Sequence, residues 1–256
     1  MTIVQSILTF AVSEEIVEYN AAASVPKPRY ERAREPHIFL PADVEAIRST
    51  VDLRDATLVA LLAYSGPRPE EVVCRLAWGD IGAQAIRYVD TKRRRTRFTP
   101  LLKPLAEDLS EWFLASGRPA LKHPVFPSHD GGFWGHDDWR NWRRRTWHGE
   151  PQRPRNDRKR PTPPRPGCAP AGTRPRDLRS SYVTLRVYEG VPLTQIGREV
   201  GTSVRMIEQH YAGVIANWDG QRVPAEDQIR AARQSDGRGM DAVPRNRKAP
   251  KSPKSM

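Results

Sequence analysis

Apolar residues recur along most of the chain with the spacing of amphipathic helices. This spacing predicts helices over residues 4–18, 102–116 and 134–147, and a proline near the first helical position predicts another at 41–49. Residues 55–64 (DATLVALLAY) are apolar nearly all round, which is typical of a buried helix. The chain is therefore predicted to be mostly helical.

Two short segments depart from the helical pattern. Residues 86–90 and 96–101 have the composition of strands, and they flank a basic turn at 91–95. The predicted fold class is accordingly mainly α with a small antiparallel β-sheet (α+β).

Residues 174–213 contain three closely spaced helical segments. Leu178, Tyr182 and Leu185 recur at i, i+4 and i+7, as on one apolar face of a helix. Glycine residues then separate this helix from two more. The last one is capped by Thr202 or its neighbour, and it carries a tyrosine near its end.

That tyrosine, Tyr211, is predicted to come close to two arginines. Arg176 and Arg179 lie three residues apart, so both guanidinium groups can reach the same side of the first of these helices. The planar fork of arginine matches the oxygens of a phosphate in a bidentate way. A tyrosine hydroxyl beside two arginines indicates chemistry on a phosphate.

Charge points to the same kind of partner. The formal net charge is +12 and the isoelectric point is near 10.1, which favours a polyanion, most commonly nucleic acid. A ribosome-associated or membrane-surface protein would have a similar charge. The two cysteines, Cys74 and Cys168, form neither a disulfide framework nor a zinc site. No apolar run approaches eighteen residues, so we expect a soluble, cytoplasmic protein.

Residues 176–211 resemble the C-terminal catalytic box of the tyrosine recombinases (phage integrase family). In that box a His-x-x-Arg helix precedes Leu-Gly-His and then the nucleophilic tyrosine. Residues 176–179 (RDLR) stand at the first position, 200–202 (VGT) at the second, and Tyr211 follows Thr202 by nine residues. Two positions depart from the common pattern, since Arg176 replaces histidine and Thr202 replaces histidine or tryptophan.

Two further segments fit the same resemblance. Residues 66–71 (GPRPEE) are similar to the family's first box, in which the arginine, here Arg68, is catalytic and the glutamate is structural. Lys92 lies eight residues before Pro100, the family spacing for the lysine that protonates the leaving oxygen. The resemblance implies a metal-free and cofactor-free cleavage of DNA through a covalent 3′-phosphotyrosine. The candidate catalytic residues are Tyr211, Arg68, Arg179, Lys92, Arg176 and Thr202.

The resemblance also implies a domain organisation. Residues 1–22 would be the last helix of an N-terminal core-binding domain whose remainder lies upstream, and 23–36 a basic linker. Residues 37–216 would be the catalytic domain, interrupted by a disordered Pro/Arg-rich insertion at 150–175. Residues 217–256 are predicted to be a disordered basic tail.

Double-stranded DNA is therefore the expected partner, with a homo-oligomer, a tetramer, assembling on it if the chain is active. The expected activity is site-specific recombination or integration by a mobile-element enzyme. Two alternatives remain open at this stage. One is a degenerate relative that binds DNA but recombines it weakly or not at all; the other is a strand-relaxing enzyme similar to type IB topoisomerases.

Overall fold

In the computed structural model the chain forms two units, Met1–Glu35 and Pro36–Met256, and residues 2–26, 37–90, 95–150 and 165–236 are described. The first unit contains helix α1 (Thr2–Ser13). It ends earlier than predicted, because Glu15 adopts a left-handed backbone conformation (φ 57°) and the chain turns back. The amide of Gln5 then donates to the carbonyl oxygen of Ala22 at 2.8 Å, which closes the returning segment on α1.

The second unit is built around one buried helix. Helix α2 (Pro41–Arg48) precedes α3 (Leu53–Ser65), and a short helix α4 (Pro69–Val73) follows. Asp52 caps α3 by accepting from the amide of Asp55 at 2.9 Å. Every residue of α3 from Thr57 onward is buried, so the apolar segment does form the predicted core helix.

A β-hairpin packs beside this core. Strand β1 (Ala85–Asp90) pairs antiparallel with β2 (Arg95–Pro100), in a register that sets Ile86 opposite Thr99 and Tyr88 opposite Arg97. Residues directly opposite one another share a face of the sheet, and this face is the buried one.

The segment after the hairpin adds helices α5 (Lys103–Ala115) and α6 (His136–Trp142), and α6 continues into a π-helical turn at Arg143–Trp147. The tryptophans of this region belong to the core. Those that are buried are Trp134, Trp139, Trp142 and Trp147.

Part of the predicted insertion is ordered. Strand β3 (Gly149–Glu150) pairs with β4 (Arg165–Pro166), and the buried indole of Trp147 donates to the carbonyl oxygen of Thr173 at 3.1 Å. A packed tryptophan thus fixes residues 165–175, for which the prediction of disorder was wrong. Residues 151–164 lie outside the described part of the chain.

Four helices complete the second unit. A 3₁₀ turn (Pro175–Leu178) leads into α7 (Arg179–Tyr188), α8 (Leu193–Val200) and α9 (Val204–Ala216), as the sequence predicts. The last helix, α10 (Ala225–Asp236), was not predicted.

Helix α10 corrects the expectation of a disordered tail over 217–256. Ala225, Ile229 and Ala232 recur at i, i+4 and i+7 and are buried, which places an apolar stripe of α10 in the protein interior. Residues 237–256 lie outside the described part of the chain. No helix in the described segments has both the length and the apolar composition needed to cross a membrane.

Candidate functional site

Arg68 is held at the N-terminus of α4 by a carboxylate three residues away. Gly66 ends α3 in the left-handed conformation (φ 63°), and a Cβ there would lie 2.9 Å from the ring of Tyr182. Oε2 of Glu71 accepts from the backbone amide of Arg68 at 2.7 Å, and Oε1 accepts from its Nη1 at 3.1 Å. The backbone and the side chain of Arg68 are therefore fixed by the same carboxylate.

Arg179 lies next to this turn. It begins α7, and its Nη1 donates to the carbonyl oxygen of Gly66 at 3.0 Å. Burial and the nearby cations Arg97 and Arg68 together lower the pKa of Arg179 to about 10, although Tyr211 and Glu71 raise it. The guanidinium still carries its charge at neutral pH, so several positive charges share one small region.

Tyr211 lies on α9, within electrostatic range of Arg179. Its backbone dihedrals (φ −121°, ψ 20°) are not helical, so α9 kinks at this residue. The ring packs against the apolar cluster formed by α7, α8 and α9. Burial raises the pKa of the Tyr211 phenol, the Arg179 guanidinium lowers it, and the carboxylate of Asp177 raises it.

The turn between α8 and α9 lies next to Arg68. Gly201 ends α8 in the left-handed conformation (φ 70°), and Nη2 of Arg68 lies 3.5 Å from its carbonyl oxygen. Ser203 caps α9, so of the two caps that the sequence allows, the structure uses this one. The amide of Thr202 donates to the carbonyl oxygen of Gly197 at 2.9 Å, and Thr202 is half-buried, directly after the residue whose carbonyl oxygen Arg68 approaches.

Two candidate residues remain, Arg176 and Lys92. Arg176 lies in the 3₁₀ turn before α7 and is exposed to solvent. Lys92 falls between the strands of the hairpin, outside the described residues. The structure thus gathers Arg68, Arg179 and Tyr211 and puts Thr202 next to them.

Sequence reasoning missed Arg97, which lies in the middle of this region. Both its terminal nitrogens donate to the carboxylate of Glu71, at 2.7 and 2.6 Å, and its Nε donates to the carbonyl oxygen of Glu199 at 3.1 Å. Alternation along β2 puts Arg97 on the same face as Thr99, the buried face of the hairpin. That alternation was the available signal, since a cation on an inward face needs a partner.

The arrangement presents fixed cationic donors in the neighbourhood of a phenol, which suits a tetrahedral oxyanion. Among the described residues, no group of three or more His, Cys, Asp or Glu side chains is placed to hold a metal ion.

Comparison with known proteins identifies the fold. No protein-family model matches the sequence, and the curated proteins contain no match. Among solved structures, XerA recombinase matches with a TM-score of 0.51 and 15% identity, over 93% of this chain and 75% of that one. A lambda integrase dimer bound to a COC' core site matches with a TM-score of 0.54 and 13% identity, over 94% and 74%.

A third solved structure agrees with these two. The Tn1549 transposon integrase in complex with circular intermediate DNA has a TM-score of 0.51 and 13% identity, over 89% of this chain and 74% of that one. The chain therefore has the fold of the tyrosine recombinases, which confirms the resemblance and the predicted fold class at the level of structure.

Proposed function

We propose that this chain cuts and rejoins duplex DNA through a covalent 3′-phosphotyrosine at Tyr211, as a site-specific recombinase or integrase. The observation that carries the proposal is the convergence of Arg68 and Arg179 on one region, with the phenol of Tyr211 within electrostatic range of Arg179. A phosphodiester needs this combination of a nucleophile and paired cationic donors. The recombinase fold of the second unit is consistent with it.

In the proposed reaction the Tyr211 phenol loses its proton to solvent, the phenolate oxygen attacks the phosphorus, and the bond from phosphorus to the 5′-oxygen breaks. The guanidinium groups of Arg68 and Arg179 bind the non-bridging oxygens, where charge builds up in the transition state. Lys92 supplies the proton to the leaving 5′-oxygen. The phosphotyrosine keeps the energy of the broken bond, so attack by a 5′-hydroxyl rejoins the strand in the reverse sequence of steps.

Exchange of two duplexes requires four strand cuts, and each copy of the chain offers one Tyr211. We therefore propose that an active assembly contains four copies on two paired DNA sites. Titrating the chain against a duplex and weighing the complex by light scattering tests this stoichiometry.

Arg176 and Thr202 favour a second candidate, a relative that binds DNA but cleaves it slowly. A guanidinium cannot accept the phenolic proton as an imidazole can. Burial also holds the pKa of Tyr211 above its ordinary value, which keeps the phenol protonated. In this candidate the fold and the cationic site remain, and too little of the Tyr211 phenol ionises for efficient cleavage.

Trapping on a nicked suicide substrate separates the two. A pool of short duplexes, randomised at the centre and nicked so that the cut strand loses its 5′-hydroxyl end, is incubated with the chain. We expect a denaturant-stable adduct whose phosphopeptide contains Tyr211, and no adduct with Tyr211→Phe. Retention of DNA by both proteins without any adduct would favour the second candidate.

A further inference from the structure

Arg97 is bound on three sides by groups of the candidate site. Its planar fork lies against the carboxylate of Glu71 with two parallel hydrogen bonds of 2.7 and 2.6 Å. Its guanidinium carbon lies 4.8 Å from the centre of the Tyr88 ring, which supports the plane of the fork from one face. The side chain is only 11% exposed, so solvent does not compete strongly for these contacts.

Glu71 links Arg97 to Arg68, because its carboxylate binds both residues. The same two carboxylate oxygens that bind Arg97 also accept from the backbone amide of Arg68 at 2.7 Å and from its Nη1 at 3.1 Å. Hydrogen bonds from both arginines lower the pKa of Glu71 although burial raises it, so the carboxylate stays charged. Without Arg97, the buried Glu71 carboxylate would be free to turn, and Arg68 would turn with it.

Arg97 also contacts the end of α8 and the turn between α8 and α9. Its Nε donates to the carbonyl oxygen of Glu199 at 3.1 Å, near the end of α8. Its Cδ packs where a Cβ on Gly201 would come within 3.2 Å, at the turn whose carbonyl oxygen faces Arg68. One side chain thus connects the hairpin, the start of α4 and the turn between α8 and α9.

The geometry points to Arg97 as a positioning residue that acts through Glu71 to hold Arg68 in place for the phosphate, an inference that rests on the proposed function. Arg97 itself donates to the protein on both edges of its fork, so it contributes alignment rather than a contact to DNA. Loss of alignment by about an ångström commonly costs on the order of 100-fold in rate.

The test compares cleavage rates of saturated complexes in four proteins: the wild type, Arg97→Gln, Arg68→Ala and the double variant. We expect Arg97→Gln to lower the rate of adduct formation by about 100-fold and to change the DNA dissociation constant by less than about threefold. In the Arg68→Ala background the same change should cost less than about threefold. A residue that only supports the fold would cost the same in both backgrounds, and that result would overturn the inference.

Two further variants sharpen the comparison. Arg97→Lys keeps the charge but cannot make two parallel bonds, so it should stay at least about tenfold slow; a wild-type rate would show that charge alone matters and would contradict positioning. Arg87→Gln is the matched control, because Arg87 lies on the exposed face of the same hairpin, paired with Asp80. We expect no change from it. Should Arg97→Gln fail to fold, Arg97→Lys takes its place in the four-way comparison.

A measurement on free protein separates this inference from the proposed function. Hydrogen exchange of the Arg68 amide, which donates to Glu71, should become at least about tenfold faster in Arg97→Gln, while the amides of α3 keep their wild-type rates. If the wild type forms no adduct but this acceleration is seen, the proposed function fails and the positioning of Arg68 stands. Unchanged exchange at Arg68 would overturn the inference whatever the cleavage assay shows.

Discussion

At Tyr211 two effects compete for the proton of the nucleophile. Burial against α7 and α8 raises the pKa of the phenol, and the Arg179 guanidinium lowers it. The balance lies above the ordinary tyrosine value, so at neutral pH the nucleophile is almost fully protonated. Arg176 stands at the position where the tyrosine recombinase motif has histidine, and a guanidinium side chain cannot act as a base there.

This balance predicts a strong pH dependence of cleavage. Since the pKa of Tyr211 lies above 10, the phenolate fraction should rise about tenfold per pH unit between pH 7 and 9, and the rate of adduct formation should follow it. The measurement is a single-turnover time course with saturating suicide substrate at each pH. DNA retention measured in parallel controls for binding, and a flat profile would mean that a group already deprotonated at pH 7 removes the proton.

The arginine pair gives a second prediction at this scale. Arg68→Ala and Arg179→Ala should each lower the rate of adduct formation by about 100- to 1000-fold, because each removes a donor aimed at developing charge. Binding should weaken by only a few-fold, since their interaction is strongest in the transition state. The double variant should lose less than the product of the single losses.

Arg144→Ala is the control for this pair. Arg144 lies on the π-helical turn, is half exposed and pairs with Glu150 of β3. The substitution should reduce only binding. Equal losses of binding and rate in Arg68→Ala or Arg179→Ala would mean that these residues only bind the phosphate backbone of DNA and do not stabilise the transition state.

The sequence was sufficient to select Arg68, Arg179 and Tyr211 as a group, because each stands in a motif with fixed spacing. Their catalytic roles remain predictions. Arg97 could not be selected in the same way, since its importance comes from Glu71 and Glu199, which lie 26 and 102 residues away along the chain. Pairings at that separation depend on the packed structure rather than on local pattern.

At the scale of elements, the helices with a long apolar stripe were predictable and α10 was not. Its sequence (AEDQIRAARQSD) is mostly polar, and its buried stripe consists of two alanines and Ile229. Much of what fixes it is ionic: Arg233 donates to Asp108 of α5 at 2.6 Å and lies 3.4 Å from Glu45 of α2. These partners are more than a hundred residues away, so no local window reveals them.

Arg233→Met should therefore lower the free energy of unfolding by about 2–4 kcal/mol, because it leaves two buried carboxylates with fewer cations. Thermal or urea unfolding at pH 7 measures the loss. The control on the same helix is Arg230→Met, whose pair with Glu107 is exposed and should contribute less than about 1 kcal/mol. If both variants lose less than about 1 kcal/mol, α10 is held by its apolar stripe rather than by its ion pairs.

The deficit of Arg233→Met should also shrink as the pH falls. Burial raises the pKa of Asp108 despite its two arginine partners, so the folded carboxyl takes up its proton at a higher pH than the unfolded one. Protonation then favours the folded state and removes the unpaired charge that the substitution creates. We expect the difference from wild type to be largest at pH 7 and smaller at about pH 5; a difference that grows on acidification would contradict this.

Across the whole molecule, the excess of positive charge should determine how DNA binding depends on salt. The net charge of +12 is not confined to the candidate site, since exposed arginines also occur on the π-helical turn and on α8 and α9. Charge of this kind neutralises phosphates without reading bases. The share of binding that comes from this dispersed charge should therefore be nearly indifferent to sequence and steeply dependent on salt.

Residues 237–256 allow a direct test, because their sequence carries six lysines and arginines and a single aspartate. Each phosphate contact contributes about 0.9 to the slope of log K against log salt, because counterions are released from the DNA. A variant ending at Asp236 should show a slope shallower by several units, with an unchanged rate of adduct formation at saturation. A variant with those six cations replaced by glutamine controls for length. An unchanged slope in both variants would contradict this account, since residues 237–256 would then make no phosphate contacts.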